Sequence, residues 1–279
     1  MKKFFGILIF ICLFFPGSAG AVSVVVPRDI AQGEPFWVEI NSEKDVSSIH
    51  VKWMGRAVKY PADLPGTQKI LLGAGLDHTG KFPLELIFEL QDGTISSDYT
   101  VSVEEKDYPE QHLTLPESMV TPPQEVIDRI VREREKIVRA LNAMGNERFW
   151  SGDFVRPVSG GVSSLFGVRR FLNDQPRSPH RGVDFRGAEG TPIKAMDSGK
   201  VTLTGDFYYG GKTVIVDHGL GLQTVYMHLS EIQVNQDEYV SREDVLGLVG
   251  MTGRSTGPHL HFGVYVLGEA VNPLPLVGE

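Results

Sequence analysis

Two segments in the last third of the chain carry residue types that bind metal ions and transfer protons. The first is His180-Arg-Gly-Val-Asp184 and the second is His259-Leu260-His261, with His228 between them in the sequence. Alternation along a β-strand sends His259 and His261 to one face and Leu260 to the other. We therefore expect two imidazoles to face one polar cavity while Leu260 packs behind them.

The residue types available indicate which kind of metal site this would be. Catalytic zinc usually takes three protein ligands and leaves a position for water, whereas structural zinc takes four, typically including cysteine. The only cysteine, Cys12, lies in an N-terminal apolar run. A His/Asp/His set therefore predicts a catalytic site, and we assign His180, Asp184 and His261 as the zinc ligands. Gly182 favours a loop running into a strand, rather than a helical turn, between His180 and Asp184.

The N-terminus has the features of a secretory signal peptide covering residues 1–21. Lys2 and Lys3 precede an apolar run that ends in small residues at Ala21, which predicts cleavage after Ala21 and a periplasmic or secreted protein. The run is short for a bilayer span, so an uncleaved anchor is the weaker interpretation. The mature chain would contain no cysteine, which excludes disulfides and thiol nucleophiles.

The charge of the chain argues against one large class of function. The formal net charge is −8, and loss of Lys2 and Lys3 with the signal peptide makes it −10. Nucleic-acid binding depends mainly on neutralising phosphates with basic residues, so an acidic chain is a poor candidate for it.

Short β-rich runs dominate residues 22–105 and predict an immunoglobulin-like β-sandwich. Asp92-Gly93 between two of them is a strong hairpin signal. The runs are Val22 to Val26, Phe36 to Ile40, Ser48 to Trp53, Lys69 to Leu72, Leu84 to Leu90 and Tyr99 to Val103.

Residues 106–148 read as a proline-bearing linker followed by an amphipathic helix. Thr121 is the predicted N-cap, the helix is expected to continue to about Met144, and Gly145 is the expected C-cap. From residue 149 to 279, strands and glycine turns alternate without a helix-length apolar pattern, which predicts an all-β unit. The chain as a whole is therefore expected to be mainly β. The C-terminal runs are Val201 to Thr204, Thr213 to Asp217, Gln223 to Leu229, Val245 to Val249 and Leu260 to Val266.

The stretch from about Phe154 to Pro273 resembles the LytM/lysostaphin family of zinc metallopeptidases, which cut peptides of bacterial peptidoglycan. Eight short motifs carry the resemblance, in order: Phe166-Gly-Val-Arg169, His180-Arg-Gly-Val-Asp184, Gly190-Thr-Pro-Ile-Lys-Ala195, Gly199-Lys-Val201, Tyr226-Met-His-Leu229, Gly250-Met-Thr-Gly253, Ser255-Thr-Gly-Pro-His-Leu-His-Phe262 and Asn272-Pro273.

The resemblance implies a LytM-type peptidase domain over residues 149–279, a Zn²⁺ cofactor and peptidoglycan as substrate, with cross-links between D-Ala and diaminopimelate expected if the host is Gram-negative. It also implies that His228 and His259 are catalytic residues that do not bind the metal. One imidazole would take a proton from the attacking water and the other would hydrogen-bond the oxyanion. Their individual roles stay open.

Other polar features near these motifs receive separate interpretations. The family usually has glycine turns where this chain has Asp237 and Glu243, so the hairpin there is expected to differ. His218 is interpreted as structural. The arginines of the metal-binding stretch are interpreted as a solvated loop, with the sharper hypothesis that one of them binds a substrate carboxylate. These are Arg169, Arg170, Arg177 and Arg181.

Three other functions compete with a zinc endopeptidase. A relative without catalytic activity could activate a separate cell-wall amidase, although all five histidine and aspartate positions are filled here. A phosphotransfer carrier shares a related β-architecture, but export separates it from cytosolic phosphoryl donors. Finally, the N-terminal sandwich could carry the main function, as a binder of the cell wall or of a protein, with the peptidase half subordinate. Separately, we expect the N-terminal domain and helix to regulate access to the metal, and one of them to bind a cell-envelope protein.

Overall fold

The computed structural model describes residues 8–13, 22–42, 46–61, 66–114 and 120–278. The chain divides into an N-terminal unit, residues 1–106 with 146–148, and a C-terminal unit, residues 107–145 with 149–279. Both consist mainly of strands, as the sequence predicts. Among the described residues, no helix has the length and apolar character needed to cross a membrane.

The N-terminal unit contains two sheets, with strand orders β1-β2-β4-β7 and β3-β9-β8-β5-β6. Its strands are β1 Leu8–Leu13, β2 Val22–Pro27, β3 Asp29–Ala31, β4 Pro35–Ser42, β5 Val46–Trp53, β6 Arg56–Pro61, β7 Gly66–Gly73, β8 Gly80–Leu90 and β9 Gly93–Glu104. All six predicted runs in this region lie in strands, whereas β3 and β6 were not predicted. The hairpin expected at Asp92-Gly93 joins β8 to β9.

Aromatic packing holds the two N-terminal sheets together. The ring of Trp53 in β5 meets the edge of Phe36 in β4 at 5.4 Å between centroids, and its Nε1 donates a hydrogen bond of 2.7 Å to the carbonyl of Gly73. The immunoglobulin-like topology stays a prediction. Of the expected signal peptide, only the backbone of β1 lies within the described residues, paired antiparallel with β2, so cleavage after Ala21 also stays a prediction.

The C-terminal unit contains a three-stranded sheet, β10-β12-β13, and a ten-stranded sheet. Its elements are β10 Glu110–Leu113, α1 Gln124–Leu141, β11 Val162–Ser164, β12 Arg169–Leu172, β13 Gln175–Pro176, β14 Val183–Arg186, β15 Pro192–Lys194, β16 Gly199–Phe207, β17 Gly211–Gly219, β18 Leu222–Ile232, β19 Tyr239–Val240, β20 Val245–Val249, β21 His259–Val266, β22 Glu269–Val271 and α2 Leu274–Val277.

The path of the large sheet runs β11-β14-β21-β18-β17-β16-β19. Its central strands β21, β18 and β17 are mostly buried, which is expected of strands covered on both faces. Phe262 in β21 packs against Phe185 at 6.2 Å and against Tyr226 at 5.3 Å between ring centroids. These contacts fix β14, β21 and β18 beside one another, and four of the five polar residues predicted from the sequence lie on these strands: Asp184, His228, His259 and His261.

Helix α1 is shorter than the sequence predicts. It begins at Gln124, with Pro123 at the N-cap, because Pro123 adopts φ −58° and ψ 150°, an extended conformation outside the helical region. The predicted cap Thr121 is therefore wrong, and so is the predicted end at Met144 and Gly145, because the helix ends at Leu141 with Asn142 as its C-cap.

The apolar side of α1 belongs to the core of the C-terminal unit. Leu141 packs with Ile215 and Val225, and Ile137 adjoins this cluster. The side chain of Glu133 accepts a hydrogen bond of 2.7 Å from the backbone N–H of Tyr208, in the turn between β16 and β17. The helix is thus part of the unit that contains the large sheet.

The segment that departs from the family's glycine turns uses left-handed backbone at both of its unusual residues. Asp237 has φ 70° and Glu243 has φ 71°. Glutamate is uncommon in this conformation, which favours glycine, asparagine and aspartate. Backbone hydrogen bonds hold both turns: Asp237 donates to Val201 at 2.8 Å and Glu243 donates to Ala195 at 3.1 Å.

Candidate metal centre

Strand pairing brings Asp184 and His261 together. Asp184 in β14 lies directly opposite His261 in β21, and His261 lies opposite Met227 in β18. The alternation predicted for β21 is present, because Leu260 is fully buried while His259 and His261 are partly exposed. Both histidines line the same cleft as Asp184.

His180 reaches the centre from a loop, as the glycine and proline beside it predict. The loop is tied down on both sides, because the N–H of His180 donates to Val168 at 3.0 Å and the N–H of Gly167 donates back to His180 at 2.8 Å. A Cβ at Gly182 would lie 2.6 Å from the carbonyl oxygen of Phe262 and 2.7 Å from Cε1 of His261. Only glycine therefore allows the loop to pass this close to β21.

Three ligand atoms converge at equal spacing. Nε2 of His180, Oδ1 of Asp184 and Nδ1 of His261 are each 2.9 Å from the other two. Within the described residues, these are the His, Cys, Asp or Glu side chains grouped closely enough to share a metal ion.

The protonation of His180 makes this cluster suited to a cation. Nδ1 of His180 is 2.8 Å from the carbonyl of Leu165, which only accepts, so Nδ1 carries the proton and Nε2 presents its lone pair. Histidine ligands of metals commonly donate their second ring N–H in this way. Two nitrogens and a carboxylate oxygen are ligand types that zinc accepts, with bonds of about 2.0–2.2 Å. The residues present therefore fit the expected metal.

The carboxyl of Asp184 is held in its ionised form. Burial raises its pKa, but the hydrogen bonds and charges of His180 and His261 outweigh this effect and hold the pKa well below its ordinary value. Its second oxygen, Oδ2, accepts a hydrogen bond of 2.8 Å from Arg170. Arg170 also donates to the hydroxyl of Ser164 at 2.9 Å. Oδ1 is thereby left for the three-atom cluster.

His228 and His259 adjoin this cluster with matching hydrogen bonds. Nδ1 of His228 donates to the carbonyl of Thr252, and Nδ1 of His259 donates to the carbonyl of Gly257, each at 2.8 Å. In both rings Nε2 is therefore the nitrogen that can accept a proton. The two rings lie 4.7 Å apart between centroids, and Nε2 of His259 is 3.9 Å from Oδ1 of Asp184.

His228 takes its position through unusual backbone geometry. Its φ is 69°, in the left-handed region that residues other than glycine rarely adopt. Its N–H donates to the carbonyl of Gly210 at 2.8 Å, next to the turn that Glu133 of α1 holds through Tyr208. Burial lowers the pKa of His228 to about 3, and the charge of His261 adds to this effect. The ring is therefore neutral at neutral pH.

His218 lies apart from the cluster and is fully buried. Its Nδ1 donates to the carbonyl of Ser198 and its Nε2 meets the hydroxyl of Thr224, each at 2.8 Å. Burial lowers the pKa of His218 to about 4. This side chain is a neutral internal residue of the sheet, in keeping with its structural interpretation.

The four arginines that the sequence analysis treated as one group have different surroundings in the structure. Arg170 binds Asp184, whereas Arg169 is exposed and forms an ion pair with Glu110 at 3.3 Å. Arg177 and Arg181 line the cleft. Sequence reasoning missed Arg254, which also lines the cleft and lies over the ring of Tyr209 at 4.4 Å. Its position between the Gly250 motif and the motif that contains His259 could have identified Arg254 as a residue of the site.

Comparisons of sequence and of structure with known proteins both relate this chain to one peptidase family. The sequence pattern of Peptidase family M23 matches residues 178–273. A crystal structure of a protein from Pseudomonas aeruginosa assigned to peptidase M23 has a TM-score of 0.69 at 31% sequence identity, covering 89% of this chain and 95% of that chain.

Two curated relatives match over a shorter region. Peptidoglycan DD-endopeptidase ShyA of Vibrio cholerae is 42% identical over 114 residues, which is 40% of this chain and 26% of the relative. DD-carboxypeptidase/endopeptidase Mpg of Neisseria meningitidis is 39% identical over 113 residues, again 40% and 26%. The chain thus matches about a quarter of the length of these relatives.

A mainly β unit with converging His/Asp/His side chains and two adjoining histidines is the arrangement of a metallopeptidase. The chain belongs to peptidase family M23, the LytM/lysostaphin family. The family and the fold of the C-terminal unit that the sequence motifs predicted are confirmed.

Substitution of His261 and of His259, both in β21, should affect zinc binding differently. His261→Ala removes one of the three converging donors and should abolish stable zinc binding, whereas His259→Ala should keep most of it. Zinc content of the purified variants by mass spectrometry, together with the rise of Tm on zinc addition, measures the difference. Zinc raises Tm only where it binds the folded chain.

His50→Ala is a suitable control, because His50 lies in the N-terminal unit and pairs with Glu89. It should bind zinc as the unmodified chain does. Equal loss of zinc from His259→Ala and His261→Ala would contradict the assignment of ligands.

Burial of His218 should make stability depend on pH. Because its pKa falls from 6.5 to about 4 on folding, the unfolded chain binds more protons between these values. Above about pH 6.5 the side chain is neutral in both states and does not lower the free energy of unfolding. As the pH falls towards 4, the free energy of unfolding decreases by up to about 3 kcal/mol. Urea unfolding in chelator at pH 7.5 and pH 4.5 should show this loss in the unmodified chain and a smaller one in His218→Gln. An equal loss in both proteins would contradict this account.

Proposed function

We propose that this protein is a zinc-dependent endopeptidase that hydrolyses peptide bonds of peptidoglycan stem or cross-bridge peptides during cell-wall remodelling. The observation that carries the proposal is the set of three atoms of metal-binding type at 2.9 Å from one another, beside two histidines whose Nε2 atoms are free to accept protons. The names of the two curated relatives support peptidoglycan peptides as the substrate.

His180, Asp184 and His261 would hold the zinc ion. Bound there, zinc supplies a Lewis acid that polarises the scissile carbonyl and lowers the pKa of the attacking water. The chain contributes by fixing its ligands in advance: Arg170 holds Oδ2 of Asp184, and the carbonyl of Leu165 holds Nδ1 of His180.

His228 and His259 would move the proton. Each ring keeps its hydrogen on Nδ1, so each can accept the proton of the attacking water at Nε2. The imidazolium formed in this step can donate the same proton to the leaving amine. The other histidine, when protonated at Nε2, can hydrogen-bond the oxyanion. The low pKa of His228 favours an uncharged ring before the reaction begins.

The alternative function is a relative without catalytic activity that activates a separate cell-wall amidase. A protein with that role does not require five histidine and aspartate side chains at one centre. Here His180, Asp184 and His261 share one cluster, and His228 and His259 have hydrogen bonds that leave the same nitrogen free. We therefore favour the peptidase.

Digestion of purified sacculi tests the proposal. The zinc-loaded chain should convert cross-linked muropeptides to uncross-linked ones, with D-Ala to diaminopimelate as the expected bond. Mass spectrometry of the products identifies the bond cleaved. His228→Ala and His259→Ala should each lower kcat by about 10²–10⁴-fold, the usual contribution of positioned proton transfer, while keeping zinc.

Chelation followed by zinc addition is the control for metal dependence. Activity should disappear with the metal and return with it. A zinc-loaded chain that leaves sacculi intact but stimulates an added amidase would favour the alternative function instead.

We also propose that the protein acts in the periplasm or outside the cell, where peptidoglycan lies, and that its N-terminal unit restricts access to the centre. As a separate proposal, the N-terminal unit or helix α1 binds a cell-envelope protein. If the N-terminal unit restricts access, a chain of residues 107–279 should hydrolyse sacculi faster than the full chain. The cut must precede β10 and α1, because Leu141 packs against Ile215 and Val225 in the C-terminal core. Equal rates for the two chains, with equal Tm of the C-terminal unit, would contradict inhibition by the N-terminal unit.

A further inference from the structure

The cleft around the proposed zinc ligands is basic, although the chain is acidic. Among the residues that the structure describes, five arginines line it and Asp184 is the only carboxylate that does so. The whole chain has a formal net charge of −8. A concentration of one sign of charge in a cleft attracts ligands of the opposite sign. The five are Arg170, Arg177, Arg181, Arg186 and Arg254.

Most of these arginines are already engaged or lie at the edge of the cleft. Arg170 binds Asp184 at 2.8 Å. Arg177 donates to the carbonyl of Val120 at 3.0 Å and to the side chain of Gln175 at 2.8 Å. Arg181 also interacts with other residues of the chain, and Arg186 is exposed. The charge of Arg170 in particular is neutralised by the carboxylate it holds.

Arg254 differs from the other four. It is half-buried, its guanidinium lies 4.4 Å above the ring of Tyr209, and it has no carboxylate partner among the described residues. Burial lowers its pKa, and the charges of Arg177 and Arg170 add to that effect. A half-buried guanidinium held against an aromatic ring is stabilised by an incoming anion.

Backbone contacts tie the segment of Arg254 to both proposed catalytic histidines. Its N–H donates to the carbonyl of Tyr209 at 2.9 Å. The residue after Tyr209 accepts the N–H of His228, and the carbonyl of Thr252, two residues before Arg254, holds the ring of His228. The hydroxyl of Ser255, the next residue, lies 3.3 Å from Nδ1 of His259. An anion bound by Arg254 would therefore lie in the same cleft as these two histidines.

We propose that Arg254 is a specificity-determining residue that binds a free carboxylate of the substrate peptide near the scissile bond. The proposal rests on the proposed function, since it names the substrate class of the same centre. The planar guanidinium can bind a carboxylate through two parallel hydrogen bonds, which the ammonium of lysine cannot reproduce.

The test combines two substrates with three proteins. The substrates are a cross-linked muropeptide and the same muropeptide with its free carboxylates converted to carboxamides. The proteins are the full-length chain, Arg254→Gln and Arg169→Gln, in which an exposed arginine outside the cleft loses the same charge. Zinc content and Tm are measured for each, and Arg254→Lys is added to separate charge from geometry.

The unmodified chain should hydrolyse the carboxylate form with a kcat/KM about tenfold to a hundredfold above that of the carboxamide, mainly through KM, as a hydrogen-bonded charge pair provides. Arg254→Gln should lose this preference by slowing only the carboxylate form, and Arg254→Lys should restore it in part. Arg169→Gln should keep it. A preference that survives in Arg254→Gln, or is absent from the unmodified chain, would overturn the proposal.

Binding measurements separate this proposal from the proposed function. Calorimetry with zinc-loaded His228→Ala, and with the same chain carrying Arg254→Gln, measures recognition of the two muropeptides without turnover. Preference for the carboxylate form that disappears with Arg254→Gln supports the role of Arg254 even if the unmodified chain cleaves neither muropeptide, an outcome that would contradict only the proposed function. Equal Kd values for the two muropeptides in His228→Ala would overturn the role of Arg254.

Discussion

The antiparallel register between β14 and β21 places Asp184 directly opposite His261, and the rest of the centre is arranged around that pair. A slip of one residue would turn the side chain of Asp184 to the other face of the sheet, where Val183 and Phe185 are fully buried. Packing of these apolar residues therefore determines where the proposed metal ligands meet. Gly182 then allows the loop carrying His180 to approach the same strand.

The buried charge of Asp184 makes this centre dependent on the groups that surround the carboxylate. A buried carboxylate is costly unless its charge is compensated. The guanidinium of Arg170 compensates Asp184 at Oδ2, while Oδ1 lies 2.9 Å from a ring nitrogen of His180 and of His261. The proton of His180 is directed away from the cluster towards Leu165. The chain thereby concentrates unshared electron pairs at one point, and a divalent cation is the natural complement of such a point.

Much of this centre could be predicted because its residues follow regular backbone rules. Alternation along β21 separated Leu260 from the two histidines, and glycine and proline identified the loop before Asp184. The backbone conformation of His228 could not be predicted, because its positive φ depends on hydrogen bonds with distant residues. Arg169 and Arg170 are adjacent in sequence, and only the three-dimensional fold shows which of them meets Asp184. The immunoglobulin-like topology, likewise, depends on strand pairings that the runs do not specify.

The strands and helices that were predicted correctly are likewise those with a strong local sequence pattern. Strands with a strong apolar pattern were recognised, whereas β6 was missed because its turn is Met54-Gly55, with φ 46° and 74°, and methionine gives no turn signal. Helix α1 begins three residues after the predicted cap because the prolines before it keep the chain extended.

The central place of β21 determines when the centre can form during folding. This strand follows β18 in the sequence, yet it lies between β14 and β18 in the sheet. Until the chain has been synthesised as far as His261, the sheet lacks both a candidate ligand and the strand that aligns Asp184. Pairings between residues distant in sequence slow folding, because the intervening loop must close first. The centre therefore forms only when β21 has paired with β14, and a metal that requires all three side chains binds after that step.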